Sequence, residues 1–134
     1  MAHVLNLFRA PQKLFFRVRE VADSGFEGCA HARPGRSRQV LLFDSETLDA
    51  MDLQPGIIRE NITIHGLNVS SLGQGQQLRI GEIRLEVREV CTPCNQMDEI
   101  RPGLQKELKG RRGMLSRVIE GGIIRRGDPI EEIS

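Results

Sequence analysis

Ile83 to Val90 is the stretch that narrows the available folds furthest. Ile83, Leu85 and Val87 alternate with Arg84, Glu86 and Arg88. A period of two puts the apolar side chains on one face of a strand and the charged ones on the other. Such a strand is stable only when its apolar face is covered by other strands. Gln77 to Ile80 and the turn Gly81-Glu82 precede it, so the two runs predict a β-hairpin. Further strands are predicted over Val4 to Phe8, Gln12 to Val21, Gln39 to Phe43, Ile57 to Ile64, Met114 to Glu120, Ile123 to Arg125 and Ile130 to Ile133. Fourteen glycines punctuate the chain and suit sharp turns and sheet corners. Helical signals are few. Asp44 or Ser45 can cap a short helix that turns Leu48 and Met51 to the core, and Leu104 to Leu108 is a second candidate. Ala22 to Arg38 reads as a long loop. The fold class expected is mainly β, a sandwich or barrel with one or two short helices.

A chain of 134 residues predicts a single domain, 1–134, around one core. Nineteen basic residues against eighteen acidic ones leave a net charge of +1, and there is no Trp, no Tyr and only five Phe. Stacking platforms for bases and a dominant basic surface are both missing, so no nucleic-acid partner is expected. No apolar run approaches the roughly 20 residues that span a bilayer, and no signal peptide is read at the N-terminus. Three cysteines, an odd number without a secretion signal, predict free thiols in a reducing cytoplasm.

Those thiols carry the most specific chemistry. In Cys91-Thr92-Pro93-Cys94, Pro93 holds its own φ and biases Thr92 toward extended geometry, so Cys94 should project from a stiff strand end. Cys91 closes the alternating run and reads as a packed thiol, whereas Cys94, beside Asn95 and Gln96, reads as exposed and reactive. One CxxC pair is half of a structural zinc site. Cys29 and His31 could complete it, with His3 and His65 the remaining histidines. A thioredoxin-like role needs a CxxC that opens a helix, which the β-rich pattern disfavours. Gly110-Arg111-Arg112-Gly113 offers two guanidinium groups to an anion, or is a solvated basic turn. Arg59 and Asn61 can add donors at the start of a strand, and His31 lies in the Gly-rich loop with Cys29 and Arg33. The carboxylate pairs Asp98-Glu99 and Glu131-Glu132 read as solvated. No phosphate-binding P-loop, dinucleotide fingerprint, HExxH or Gly-x-Ser-x-Gly occurs.

In series, these pieces resemble the MOSC family, named for the C-terminal domain of molybdenum cofactor sulfurases. The resemblance is strongest over residues 38–133. It is carried by Arg59-Glu60-Asn61-Ile62-Thr63-Ile64-His65-Gly66-Leu67, Leu72 with Gly75, Leu78-Arg79-Ile80-Gly81, Leu85-Glu86-Val87, Pro93-Cys94, Gly110-Arg111-Arg112-Gly113 and Val118 through Gly121-Gly122-Ile123-Ile124-Arg125 to Gly127-Asp128. Gly28-Cys29-Ala30-His31 resembles the family's Gly-Asp-x-His element, with Cys29 in place of Asp. The resemblance implies a MOSC-type β-barrel. It also implies that Cys94 carries sulfane sulfur or ligates molybdenum held by a pterin dithiolene, the molybdenum cofactor. His31, Arg59, Asn61, Arg111 and Arg112 would then position the anionic pterin or another sulfur acceptor. A sulfur-donor or molybdoenzyme partner protein is implied as well. Pyridoxal phosphate is not expected, because the aminotransferase-like domain of longer members is missing. A rival reading is a non-catalytic module that binds a pterin or other anion and delivers it to a partner. A structural zinc module is a third.

Overall fold

A computed structural model of the chain describes residues 2–9, 13–15, 17–21, 25–26, 40–58, 60–90, 97–109 and 113–133. Its strands are β1 (His3–Arg9), β2 (Lys13–Phe15), β3 (Arg17–Val21), β4 (Gly25–Phe26), β5 (Val40–Asp44), β6 (Ile62–His65), β7 (Gln77–Ile80), β8 (Ile83–Val90), β9 (Met114–Glu120), β10 (Gly122–Arg125) and β11 (Ile130–Ile133). The helices are short: α1 (Ser45–Ala50), α2 (Met97–Ile100), α3 (Leu104–Glu107) and a 3-10 turn at Val69–Ser71.

Eight strands form one sheet in the order β11-β7-β8-β9-β5-β6-β1-β2, and β10-β3-β4 form a second. The large sheet curls until its edges approach one another. Val4 N–H donates to the Asp128 carbonyl (2.9 Å), Gly127 N–H to the Val4 carbonyl (2.7 Å) and Ile130 N–H to the Ala2 carbonyl (3.0 Å). These bonds tie the start of β1 to the turn that enters edge strand β11, so the sheet becomes a nearly closed half-barrel. Curling satisfies backbone groups that an open edge would leave bare.

The inner face holds the main core. Leu7, Leu42, Ile62, Ile64, Leu78, Ile80, Ile83, Leu85, Val87 and Val118 are wholly buried there. A second cluster lies between the sheet and the helices, where Phe43, Leu48, Ile58, Met97, Leu104 and Leu108 pack together. β5 serves both clusters, Leu42 inward and Phe43 outward, and every one of its residues is buried. That explains why residues 40–43 are continuously apolar while β8 alternates.

The β7–β8 hairpin, β9 and the Asp44-capped α1 form where the sequence predicts them. Four expectations need correction. Gln12 to Val21 is not one strand, because β2 pairs with β1 in the large sheet while β3 pairs with β10 in the small one. Ile57 to Ile64 is not one strand either. Residues 55–58 form turns, and Ile58 is drawn into the helix-side cluster, so β6 starts only at Ile62. β-branched residues favour any half-buried extended surface, and tertiary packing overrode that preference here. The polar segment from Asn95 to Gly103 hides α2, which turns Met97 to the core. In the predicted loop from Ala22 to Arg38, Gly25–Phe26 forms β4.

Candidate functional site

Of the residues singled out from sequence, Asn61 is described, while Cys94, His31, Arg59, Arg111 and Arg112 lie outside the described residues, as do Cys29 and Cys91. The strands that flank Cys94 and the Arg111-Arg112 pair are described. Val90, the last residue of β8, pairs with Met114, the first of β9. Met114 pairs in turn with Leu42, and Leu42 with Ile62. One row across the sheet thus joins the residue four before Cys94 to the residue two after Arg112.

Gly113 sets how β9 enters this row. Its φ is +106°, a region where a side chain is strained. A Cβ there would collide with the Leu42 carbonyl oxygen and come within 2.8 Å of the Phe43 ring. The glycine that follows the two arginines is therefore required by packing against β5. From sequence, the stretch Gly110 to Gly113 reads either as an anion contact or as a solvated basic turn.

Asn61 lies on the other side of the row, alongside Leu41. It is 6% exposed. Its Oδ1 accepts from Leu41 N–H (2.9 Å), and its Nδ2 donates to the Phe8 carbonyl (3.3 Å). Its backbone N–H donates to the Leu41 carbonyl (2.9 Å) and its carbonyl accepts from Phe8 N–H (2.8 Å). Four bonds thus pin the start of β6 between β5 and β1. Beside it, Glu60 is fully buried, and its Oε2 accepts from Gly56 N–H and from the Thr63 hydroxyl, both at 2.9 Å. Nothing local in the sequence marks Glu60 as an interior carboxylate.

At the opposite end of β5 a cleft of about 640 Å³ opens, lined by Asp44, Glu46, Thr47, Ala50, Gly66, Leu67, Asn68 and Ser70. Asp44 caps α1, its Oδ2 accepting from the backbone N–H and the hydroxyl of Thr47. Glu46 Oε2 accepts from Gly66 N–H (2.8 Å) and lies 3.3 Å from His65 Nδ1. The same imidazole nitrogen is 3.1 Å from Ser45 Oγ. Both Ser45 and Glu46 thus meet one nitrogen, so this is a clamp between α1 and β6 and lacks the relay order of a nucleophilic triad. Partial burial opposes ionisation of Glu46. The bonds from Gly66, its own amide and Ser45, with the charge of His65, outweigh that and hold its pKa below the ordinary carboxylate value. The His65 ring also tilts against His3, with centroids 5.3 Å apart. Among the described residues no group of three or more His, Cys, Asp or Glu converges as a metal site.

The MOSC domain family model matches residues 31–131, and the chain belongs to that family. Solved structures give the same fold. A YiiM protein from Escherichia coli is 19% identical with a TM-score of 0.81, over 100% of this chain and 70% of that one. YiiM from Geobacillus stearothermophilus is 18% identical with a TM-score of 0.80, over 100% and 76%. The YUAD protein from Bacillus subtilis is 17% identical with a TM-score of 0.76, over 97% and 94%. Among curated proteins none matches the chain.

Proposed function

We propose that this MOSC protein works through Cys94, which accepts and passes on sulfane sulfur or ligates molybdenum in the molybdenum cofactor. The observation that carries the reading is the pairing of Val90 with Met114. Cys94 is four residues from one partner and Arg112 two from the other, which bounds their separation from that pair at about 14 Å and 7 Å of extended chain. A thiolate beside fixed guanidinium charge is more readily ionised, and the thiolate is both the nucleophile and the metal ligand. The donor set suits the group the family implies: soft sulfur for molybdenum, and Arg111, Arg112 and Arg59 for the phosphate of the pterin. When bound, that cofactor supplies a redox-active metal. His31 completes the anion contacts, and Asn61 acts as a positioning residue by fixing the entry of β6 two residues after Arg59.

As a carrier, the Cys94 thiolate attacks the outer sulfur of a donor persulfide. A new S–S bond forms at Cys94 as the donor thiolate leaves, with no net oxidation. A nucleophilic acceptor, an anionic pterin or a thiol of a partner protein, then attacks that outer sulfur, and the S–S bond breaks as the Cys94 thiolate leaves, again with no net oxidation. No helix among the described residues is long and apolar enough to cross a membrane.

Intact-mass measurement after incubation with a persulfide donor tests the reading. The native chain should gain one sulfur that a mild reductant removes, and Cys94→Ser should gain none while keeping its thermal midpoint. Equal uptake by Cys94→Ser would remove the assignment. A Cys94→Ser protein that still binds pterin, paired with an Arg111→Ala/Arg112→Ala protein that does not, would indicate a delivery module instead.

A further inference from the structure

His3 and His65 are register partners in the antiparallel β1–β6 pair. Directly opposed residues of such a pair project from the same face of the sheet. Their ring centroids are 5.3 Å apart, with the planes tilted by 52°. The pair stands at the seam of the half-barrel, where His3 also bridges to Pro129. Solvent reaches it, since the His65 side chain is 52% exposed and His3 is half-buried. The surroundings fix which nitrogen of His65 holds the proton. The Ser45 hydroxyl donates to Glu46 Oε1 (3.3 Å), so its oxygen is left to accept. That oxygen lies 3.1 Å from His65 Nδ1, and Glu46 Oε2 lies 3.3 Å from the same nitrogen. A ring nitrogen that faces two acceptors is the N–H of a neutral imidazole. Nε2 then carries the lone pair, and no described residue bonds to it.

A histidine whose Nδ1–H is held by a carboxylate, with Nε2 turned to solvent, is arranged as metal-ligating histidines are. Two imidazoles on one tetrahedral zinc ion, each with a Zn–N bond of about 2.0–2.1 Å, have centroids about 5 Å apart. The observed 5.3 Å agrees with that spacing. An imidazole has two nitrogens, so His3 can ligate through one whatever the other meets. We infer that His3 and His65 together bind a zinc-class divalent cation, His65 through Nε2, with Glu46 and Ser45 orienting the His65 ring. Water fills the remaining positions, in keeping with the lack of a third convergent ligand among the described residues. Imidazole ligands favour such an ion over magnesium or calcium, which take oxygen. One ligand sits on β1 and the other on β6, so the bound ion staples the start of β1 where the sheet closes. The inference rests on described side chains and does not depend on the role of Cys94.

Titration of the full chain with zinc, followed by the imidazole NMR signals of His3 and His65, tests it. Both rings should shift together, with one affinity, and magnesium at the same concentration should shift neither. His3→Gln and His65→Gln should each weaken the response of the remaining ring at least tenfold. Both positions are partly exposed, so the metal-free variants should stay folded. Glu46→Gln leaves both rings in place but presents a weaker acceptor to Nδ1, and should weaken zinc at least threefold. Zinc held only by cysteines would leave both ring signals unmoved. Unmoved rings, a shift of one ring alone, or native affinity in any of the three variants would each overturn the inference.

Discussion

Replacing Asn61 by Ala should cost the protein much of its stability. Two bonds vanish: the Leu41 N–H loses its 2.9 Å acceptor, and the Phe8 carbonyl loses a longer 3.3 Å donor. Both partners are main-chain groups beside a side chain only 6% exposed. An unmet buried donor costs about 1–3 kcal/mol, and the longer bond adds about 0.5–1 kcal/mol, so we expect a loss of about 2–4 kcal/mol. For a chain of this length that corresponds to a fall of roughly 8–15 °C in the thermal midpoint. Urea denaturation followed by circular dichroism measures the loss directly, and the slope should be unchanged if only stability has moved. Asn61→Asp separates the two bonds. A carboxylate still accepts from Leu41 but faces the Phe8 carbonyl with no donor, and burial raises its pKa. Its folded pKa then lies above the unfolded one, so the variant is least impaired at low pH and loses stability as pH rises through the folded value. A loss below about 0.5 kcal/mol for Asn61→Ala would refute the reasoning, because it would mean that water or relaxation replaces both partners.

Gly113→Ala should destabilise the fold by about 3 kcal/mol or more, since it combines a left-handed backbone with a collision against the Leu42 carbonyl. A thermal midpoint within a degree or two of the native one would show that β5 and β9 can separate freely. Glu46 has a lowered folded pKa, so its contribution is present above its ordinary value of 4.5 and is lost as pH falls through the folded value. Glu46→Gln should flatten the stability profile on the acid side of that value. Because the side chain is 49% exposed, solvent and salt should shrink the effect, and identical acid profiles for the two proteins would count against the clamp.

Much of the strand pattern could be read directly. The alternation of β8 and the apolar run of β5 follow from one covered face and two covered faces respectively, and each signature is local. The cap of α1 was legible for the same reason, since Asp44 and Thr47 are three residues apart. Misreadings fell where local preference met a distant competitor. Ile57 and Ile58 look like strand residues, yet Ile58 is claimed by Leu48, Met97 and Leu104. Met97 and Ile100 are two apolar side chains in a polar stretch, too little to announce α2 before Phe43 and Leu108 are seen beside them.

Composition and short-range pattern alone determined that the chain is mainly β, where the hairpin and the capped helix lie, and which family its ordered motifs resemble. Tertiary structure decided that β5 lies between β9 and β6, so that Val90 reaches Met114's row and Gly113 must lack a side chain. It also decided that Asn61 is a pin between distant strands and that His3 and His65 meet across β1 and β6. The physical reason is range. Periodicity and capping act within a few residues, whereas Asn61 bonds partners 20 and 53 residues away, and only the closed sheet brings those groups within reach.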